Sequence, residues 1–140
     1  MFEGFKGSQK TDSLLHGHSF TAYPAGCWAA GQALDMYKTH PNYDAASNAF
    51  PNLWDDALLS KISFLPRVEG VVSMGSMFAV TLKAEKLGYA SMAASEVTKA
   101  LRGRGVFARP LGSTVYLMAS PTSAPEDCTA QLNILLELLA

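Results

Sequence analysis

Cysteine is scarce in this chain: Cys27 and Cys128 are the only two in 140 residues. That excludes a disulfide framework and a cysteine-only zinc site, and it suits a reducing compartment. Charge of one sign is lacking as well. Eleven Lys and Arg residues stand against twelve Asp and Glu, for a net charge of -1, so no basic face is offered to nucleic acid or anionic lipid. No apolar run reaches the roughly 18 to 20 residues of a membrane span, and the opening MFEGFKGSQK lacks the apolar stretch of a secretory signal. Internal repeats and low-complexity tracts are missing too. The expectation is a soluble protein with no nucleic-acid and no membrane partner.

What is present is a chain that is 49% hydrophobic, the length of one domain with enough apolar side chains for a packed core. Residues 24–38, PAGCWAAGQALDMYK, read as a helix, because a proline suits the first turn and good helix formers follow. Its Ala25, Gly26, Ala29, Ala30 and Ala33 let a neighbouring backbone approach but bury little area, so this helix needs a larger body to lie against. Residues 39–51, rich in proline and asparagine, form a surface connection and the place for a domain boundary. Asn52 is positioned to cap a short helix that reaches about Phe64, with Asp55 and Asp56 favouring its positive end and Pro66 unable to continue it.

From Val68 the run VEGVVSMGSMFAVTLK turns β-branched and apolar, which predicts two strands meeting at a bend on Gly75. Tyr89, Met92, Ala93, Val97, Ala100 and Leu101 then keep one helical face, and Gly103 is placed to end that helix in a left-handed turn. Two antiparallel strands, 106–109 and 114–119, follow around PLGS. Ser123, with Glu126 three residues on and Pro125 between, has the pattern of a capping box. It opens a last helix whose stripe is Cys128, Leu132, Leu135, Leu136 and Leu139. Both cysteines fall on helical apolar spacing, where a free thiol acts as a small core residue.

Three groups of residues invite a chemical reading. His16 and His18 form an HxH pair, but a third ligand is missing and His40 has no spacing that joins it to them, so they read as loop histidines and no metal is assigned. LLHGHSFTAYP is a glycine-containing loop leading into a helix, where free backbone N–H groups and the hydroxyls of Ser19 and Thr21 can hold an anion such as phosphate. The same residues also suit an ordinary turn and helix cap. Arg109 stands inside the apolar run GVFARPLG, so its guanidinium needs an anionic ligand or a structural carboxylate.

The segments LLHGHSFTAYPAGCWAAGQAL, VSMGSMFAVTLK and GVFARPLGSTVYLM, in that order, closely resemble the class III pyridoxal-phosphate aminotransferases. HGHSFTA-P together with RPLG-TVYLM is most similar to the branch that serves biotin biosynthesis. FKGSQKTDSLLHGHS resembles eukaryotic members of that branch fused to dethiobiotin synthetase. The resemblance covers nearly the whole chain. It implies an α+β fold in which residues 39–140 are the C-terminal small domain of a fold-type I aminotransferase, antiparallel strands with helices on one face. Residues 1–38 would then be the last loop and helix of the large cofactor domain.

The resemblance also implies roles. His18 and Ser19 would contact the phosphate of pyridoxal 5'-phosphate in the neighbouring subunit of a homodimer, and Gly17 would lie near the substrate. Arg109 would bind the carboxylate of a keto-acid substrate, with Tyr116 lining the pocket, and the amino group would come from S-adenosylmethionine. The lysine that forms the Schiff base and the aspartate that pairs with the pyridine nitrogen belong to stretches the chain lacks. Lys6 and Lys10 fall outside any such motif, so the chain alone is expected to be inactive. Leu111 departs from the aromatic that bacterial members often carry. A mitochondrial address follows from the fused eukaryotic members alone. The alternative is a noncatalytic truncated module that binds an anionic metabolite or a partner protein.

Overall fold

The computed structural model describes residues 7–9, 12, 21–84 and 91–140. The chain divides into two compact units, Met1–Met36 and Tyr37–Ala140. The first helix, α1 (Pro24–Lys38), matches the expected span and has no buried residue. Cys27 on it is exposed, so the core role expected for both cysteines holds for Cys128 alone. No helix among the described residues is long and apolar enough to cross a membrane.

After α1 the elements run α2 (Asp56–Ser63), β1 (Val68–Met74), β2 (Met77–Leu82), α3 (Ala93–Gly103), β3 (Arg109–Leu111), β4 (Thr114–Met118) and α4 (Pro125–Leu139). The four strands make one antiparallel sheet in the order β1-β2-β4-β3. Burial alternates along β2 and β4, so that Phe78, Val80, Leu82, Val115 and Leu117 point to one side, as the period of two requires when only one face of a sheet is covered. Ile62 of α2, Val97 and Leu101 of α3, and Cys128, Leu132, Leu135 and Leu139 of α4 join them in a single core. The α+β fold with helices on one face of an antiparallel sheet is thus observed.

Local chemistry explains the ends of these elements, and several differ from expectation. Asp55, not Asn52, caps α2: its carboxylate accepts from the Leu58 backbone N–H at 2.8 Å, where a negative group also meets the positive helix end. Asn52 instead accepts from the Ser73 hydroxyl at 2.7 Å. Met74 and Met77 flank a two-residue turn in which Gly75 has φ +56°, the positive value that fits a hairpin to the twist of its strands. Gly103 is the last helical residue of α3, and the left-handed position belongs to Gly105, at φ +81°. The Val106 N–H bonds to the Leu101 carbonyl at 2.9 Å and the Gly105 N–H to that of Arg102 at 3.1 Å, the paired bonds of a Schellman ending.

That ending consumes Val106, so the third strand starts at Arg109 rather than at 106, and its turn is Gly112–Ser113. Pro110 is tolerated because β3 is an edge strand. The buried face of α3 is Ala94, Val97, Thr98 and Leu101, while Met92 and Ala100 are exposed; Tyr89 lies outside the described residues. Ser123 forms no capping box, since its hydroxyl accepts from the Ser120 N–H at 3.1 Å while Ala124 holds the cap position. Residues 39–51 are a connection folded on itself: Asp44 and Ala49 form a β-bridge, and Tyr37 and Tyr43 meet the Phe50 ring edge-on at 5.5 and 5.6 Å. The Asn42 amide fastens this connection by donating to the Pro121 and Ser123 carbonyls at 3.2 and 2.9 Å.

Two measurements check this account. A Cβ on Gly103 or on Gly105 would meet nothing within 4 Å, so the two glycines differ only in backbone. Gly103→Ala is expected to stabilise by about 0.5–1 kcal/mol through helix propensity, and Gly105→Ala to destabilise by about 1–2 kcal/mol through its left-handed φ; urea unfolding of both variants decides it. Burial pushes the Cys128 thiol up, with the Asp127 charge adding to the effect. Cys27 should therefore react at once with a disulfide reagent in the native protein, and Cys128 only after denaturant is added.

Candidate functional site

The face of the sheet turned away from the helices carries two of the residues singled out in the sequence. Burying Val115 and Leu117 forces Thr114, Tyr116 and Met118 to the opposite side. Register then sets the neighbours. Arg109 of β3 pairs with Tyr116, Tyr116 pairs with Ala79 of β2, and Ala79 pairs with Val72 of β1, so one row of side chains crosses the whole sheet. Beside it run the row Leu111, Thr114, Thr81 and, on the other flank, the row Met118, Met77, Met74. The hydroxyls of Thr81 and Thr114 are hydrogen-bonded at 3.0 Å, which ties the two central strands together on this outer face.

Arg109 is exposed, and among the described residues its guanidinium makes no ion pair and no side-chain hydrogen bond. The structural carboxylate that was one of its two readings is thus not found there. Tyr116 beside it is half-buried. Phe107 and Leu111 are 79% and 46% exposed, and Val106 is buried as part of the helix ending, so these neighbours do not by themselves keep water from Arg109. Chemically the face combines one uncommitted planar cation with a phenol and an apolar floor of Val72, Ala79 and methionine side chains, which suits an anionic head on an aliphatic body.

Gly17, His18 and Ser19, the residues expected to hold substrate and cofactor phosphate, lie outside the described residues, as do Lys6 and Lys10. The four described lysines, Lys38, Lys61, Lys83 and Lys99, are all exposed. None is desolvated in the way that makes an amine nucleophilic. No group of three or more His, Cys, Asp or Glu residues that could hold a metal occurs among the described residues. Asp44, in the connection before α2, is held below its ordinary value by the Ser47 hydroxyl and then by the Ala46 N–H; it serves the turn. Sequence reasoning missed Val72 and Ala79 as neighbours of Tyr116. The signal for them was the strict alternation of β2, once the register is known.

No family model matches the chain. Among curated proteins it is 45% identical to the mitochondrial bifunctional dethiobiotin synthetase/7,8-diamino-pelargonic acid aminotransferase of Oryza sativa subsp. japonica, over 94% of this chain and 17% of the relative. The protein of the same name from Arabidopsis thaliana is 39% identical over 99% of this chain and 17% of its own length. The adenosylmethionine-8-amino-7-oxononanoate aminotransferase of Synechococcus elongatus is 28% identical over 99% of this chain and 32% of its own length. The chain thus spans about a sixth of the length of the fused relatives and about a third of the length of the single-function one. Among solved structures, the fold matches a Bacillus anthracis aminotransferase with a TM-score of 0.60 at 16% identity, over 99% of this chain and 33% of that one. It also matches the adenosylmethionine-8-amino-7-oxononanoate aminotransferase of Methanocaldococcus jannaschii with a TM-score of 0.59 at 19% identity, over 99% of this chain and 32% of that one. Fused and single-function relatives have the aminotransferase in common, and both align along nearly all of this sequence, so what this chain is similar to over nearly its whole length is a part of the aminotransferase that the two kinds of relative share.

Proposed function

We propose that this chain is the C-terminal portion of an aminotransferase of biotin biosynthesis, which converts 8-amino-7-oxononanoate to 7,8-diaminononanoate with S-adenosylmethionine as amino donor. The observation that carries the reading is the alignment of nearly the whole chain with both fused and single-function relatives. The cofactor is pyridoxal 5'-phosphate, which supplies the electron sink for amino transfer when bound. The exposed state of the four described lysines supports an attachment of that cofactor through a residue other than these. Residues 1–38 are assigned to the distal end of the large cofactor domain and 39–140 to the small domain. The mitochondrial names of the plant relatives support the same compartment.

In this reading the chain contributes binding and orientation. Arg109 meets the carboxylate of the keto acid through two parallel hydrogen bonds, the geometry a planar guanidinium favours. Tyr116 lies across the ladder from it and lines the pocket, while the apolar rows of the outer face suit the long aliphatic chain of the substrate. His18 and Ser19 hold the cofactor phosphate of the neighbouring subunit in a homodimer, and Gly17 leaves room beside the substrate.

Two experiments test the proposal. The 140-residue chain, purified and supplied with keto acid, donor and cofactor, is expected to show no turnover; turnover free of host enzyme would reject the division of labour. A chimera in which this chain replaces the matching stretch of the Synechococcus elongatus relative should form 7,8-diaminononanoate. In that chimera Arg109→Ala should raise the apparent KM for 8-amino-7-oxononanoate by roughly ten- to a thousandfold, or about 1.5–4 kcal/mol. The half-reaction with the donor should change far less, and Arg109→Lys should restore only part. The same Arg109→Ala change in the 140-residue chain should alter unfolding stability by less than about 0.5 kcal/mol, as for an exposed residue without a partner. Equal slowing of both half-reactions would mark Arg109 as structural.

A further inference from the structure

A second place on the molecule gathers positive charge, and the aminotransferase reading makes no use of it. Between α3 and the start of β3 lies a recess of about 120 Å³ lined by Thr98, Lys99, Arg102, Ala108 and Pro110. Lys99 and Arg102 are three residues apart on α3, the spacing that puts two side chains on one helix face. Among the described residues neither is paired with a carboxylate. Glu96, three residues before Lys99, lines a different recess with Arg67. The next cation along, Arg104, is taken by Glu137 at 2.9 Å.

Helix-end chemistry does not account for these two charges. The carbonyls of Leu101 and Arg102 already accept from Val106 and Gly105, so no cation is needed to satisfy them. Arg102 is also held in place: its guanidinium carbon stands 5.9 Å from the centre of the Phe107 ring, a contact that orients the group and leaves its N–H edge for another ligand. The floor is apolar, since Ala108 presents a methyl group and Pro110 has no N–H, and the Thr98 hydroxyl is committed to the Ala94 and Ser95 carbonyls. An anion seated there would be bound by the two cations with little competition from other polar groups.

We propose that this recess is a binding site for a small phosphate-type oxyanion, either inorganic phosphate or the head of a phosphate monoester. Its volume is on the order of a few water molecules, which suits a tetrahedral oxyanion and excludes a nucleotide base or a second ring. The site stands on α3, β3 and Ala108 just before β3, and is independent of the function assigned to Arg109. Pro110, which lines it, pairs with inward-facing Val115, whereas Arg109 pairs with outward-facing Tyr116; the two positions lie on opposite faces of the sheet.

The test is a titration of the isotopically labelled 140-residue chain with sodium phosphate at low ionic strength, matched against sodium chloride, and repeated with glycerol phosphate to distinguish the free ion from a monoester. Saturable amide shifts centred on residues 98–102 and 108–111 are expected, with a dissociation constant on the order of 1 mM or below. The double variant Lys99→Ala/Arg102→Ala should weaken binding by at least about tenfold, and Arg104→Ala should leave it unchanged. Lys99→Gln alone, at an exposed position, should weaken it by about threefold or more if the double variant does not fold. Shifts that never saturate, that spread over all the cations, or that survive loss of Lys99 would overturn the proposal.

Discussion

The layer formed by Phe78, Val80, Val115 and Leu117 with the leucine stripe of α4 decides where every other side chain of the sheet can go. A strand has only two sides, so committing these four residues to the core sends Ala79, Thr81, Thr114 and Tyr116 to the opposite one. A slip of β4 by one residue would bury Tyr116 and Thr114 and expose Val115 and Leu117. The cost of that exchange, about 1.5–3 kcal/mol for each large apolar side chain moved into water, locks the register. The placement of Arg109 opposite Tyr116 is a by-product of this packing and needs no contact of its own to hold it.

The parts of this fold legible in the sequence were those encoded by short-range pattern. α1, the β1–β2 hairpin on Gly75 and the stripe of α4 all follow from period and turn chemistry within a few residues. What failed was the assignment of caps and ends, where several residues compete for the same role. Asn52 and Asp55 both suit a helix start, and the carboxylate that reaches the Leu58 N–H wins. Gly103 and Gly105 both suit a helix stop, and the one that lets Val106 return to Leu101 wins. The displacement of β3 by three residues is a direct result of that second contest, because 106–108 are spent in leaving the helix.

The chemistry was less legible than the fold. Arg109 stood out as a charge in an apolar run, but its neighbours on the sheet depend on a register that the packing of Val115 and Leu117 and the Gly112–Ser113 turn set together. Its apolar neighbours in sequence, Phe107 and Leu111, do not shield it, being largely exposed themselves. In the structure Phe107 belongs to the connection and lies against Arg102. The Lys99 and Arg102 pair carries no distinct signal in the sequence, since two cations on a helix ordinarily form a solvated face; only the recess beside them gives them a common object.

Chain order and sheet order part company at one point: β4 lies between β2 and β3. The outer ladders are closed by two-residue turns, whereas the central ladder joins Thr81 to Thr114 across 33 residues that include α3. The two hairpins can each form within microseconds, but the middle of the sheet must wait for a long loop to close, and the entropy of that closure is spent before any contact repays it. On the ribosome β1, β2 and α3 emerge before β4 exists to pair with them. The pairing edge of β2 stays open until residues 114–118 arrive, and its apolar face, with Phe78 and Val80 upon it, stays uncovered until α4 follows, which makes this strand the stretch where premature association between nascent chains would begin.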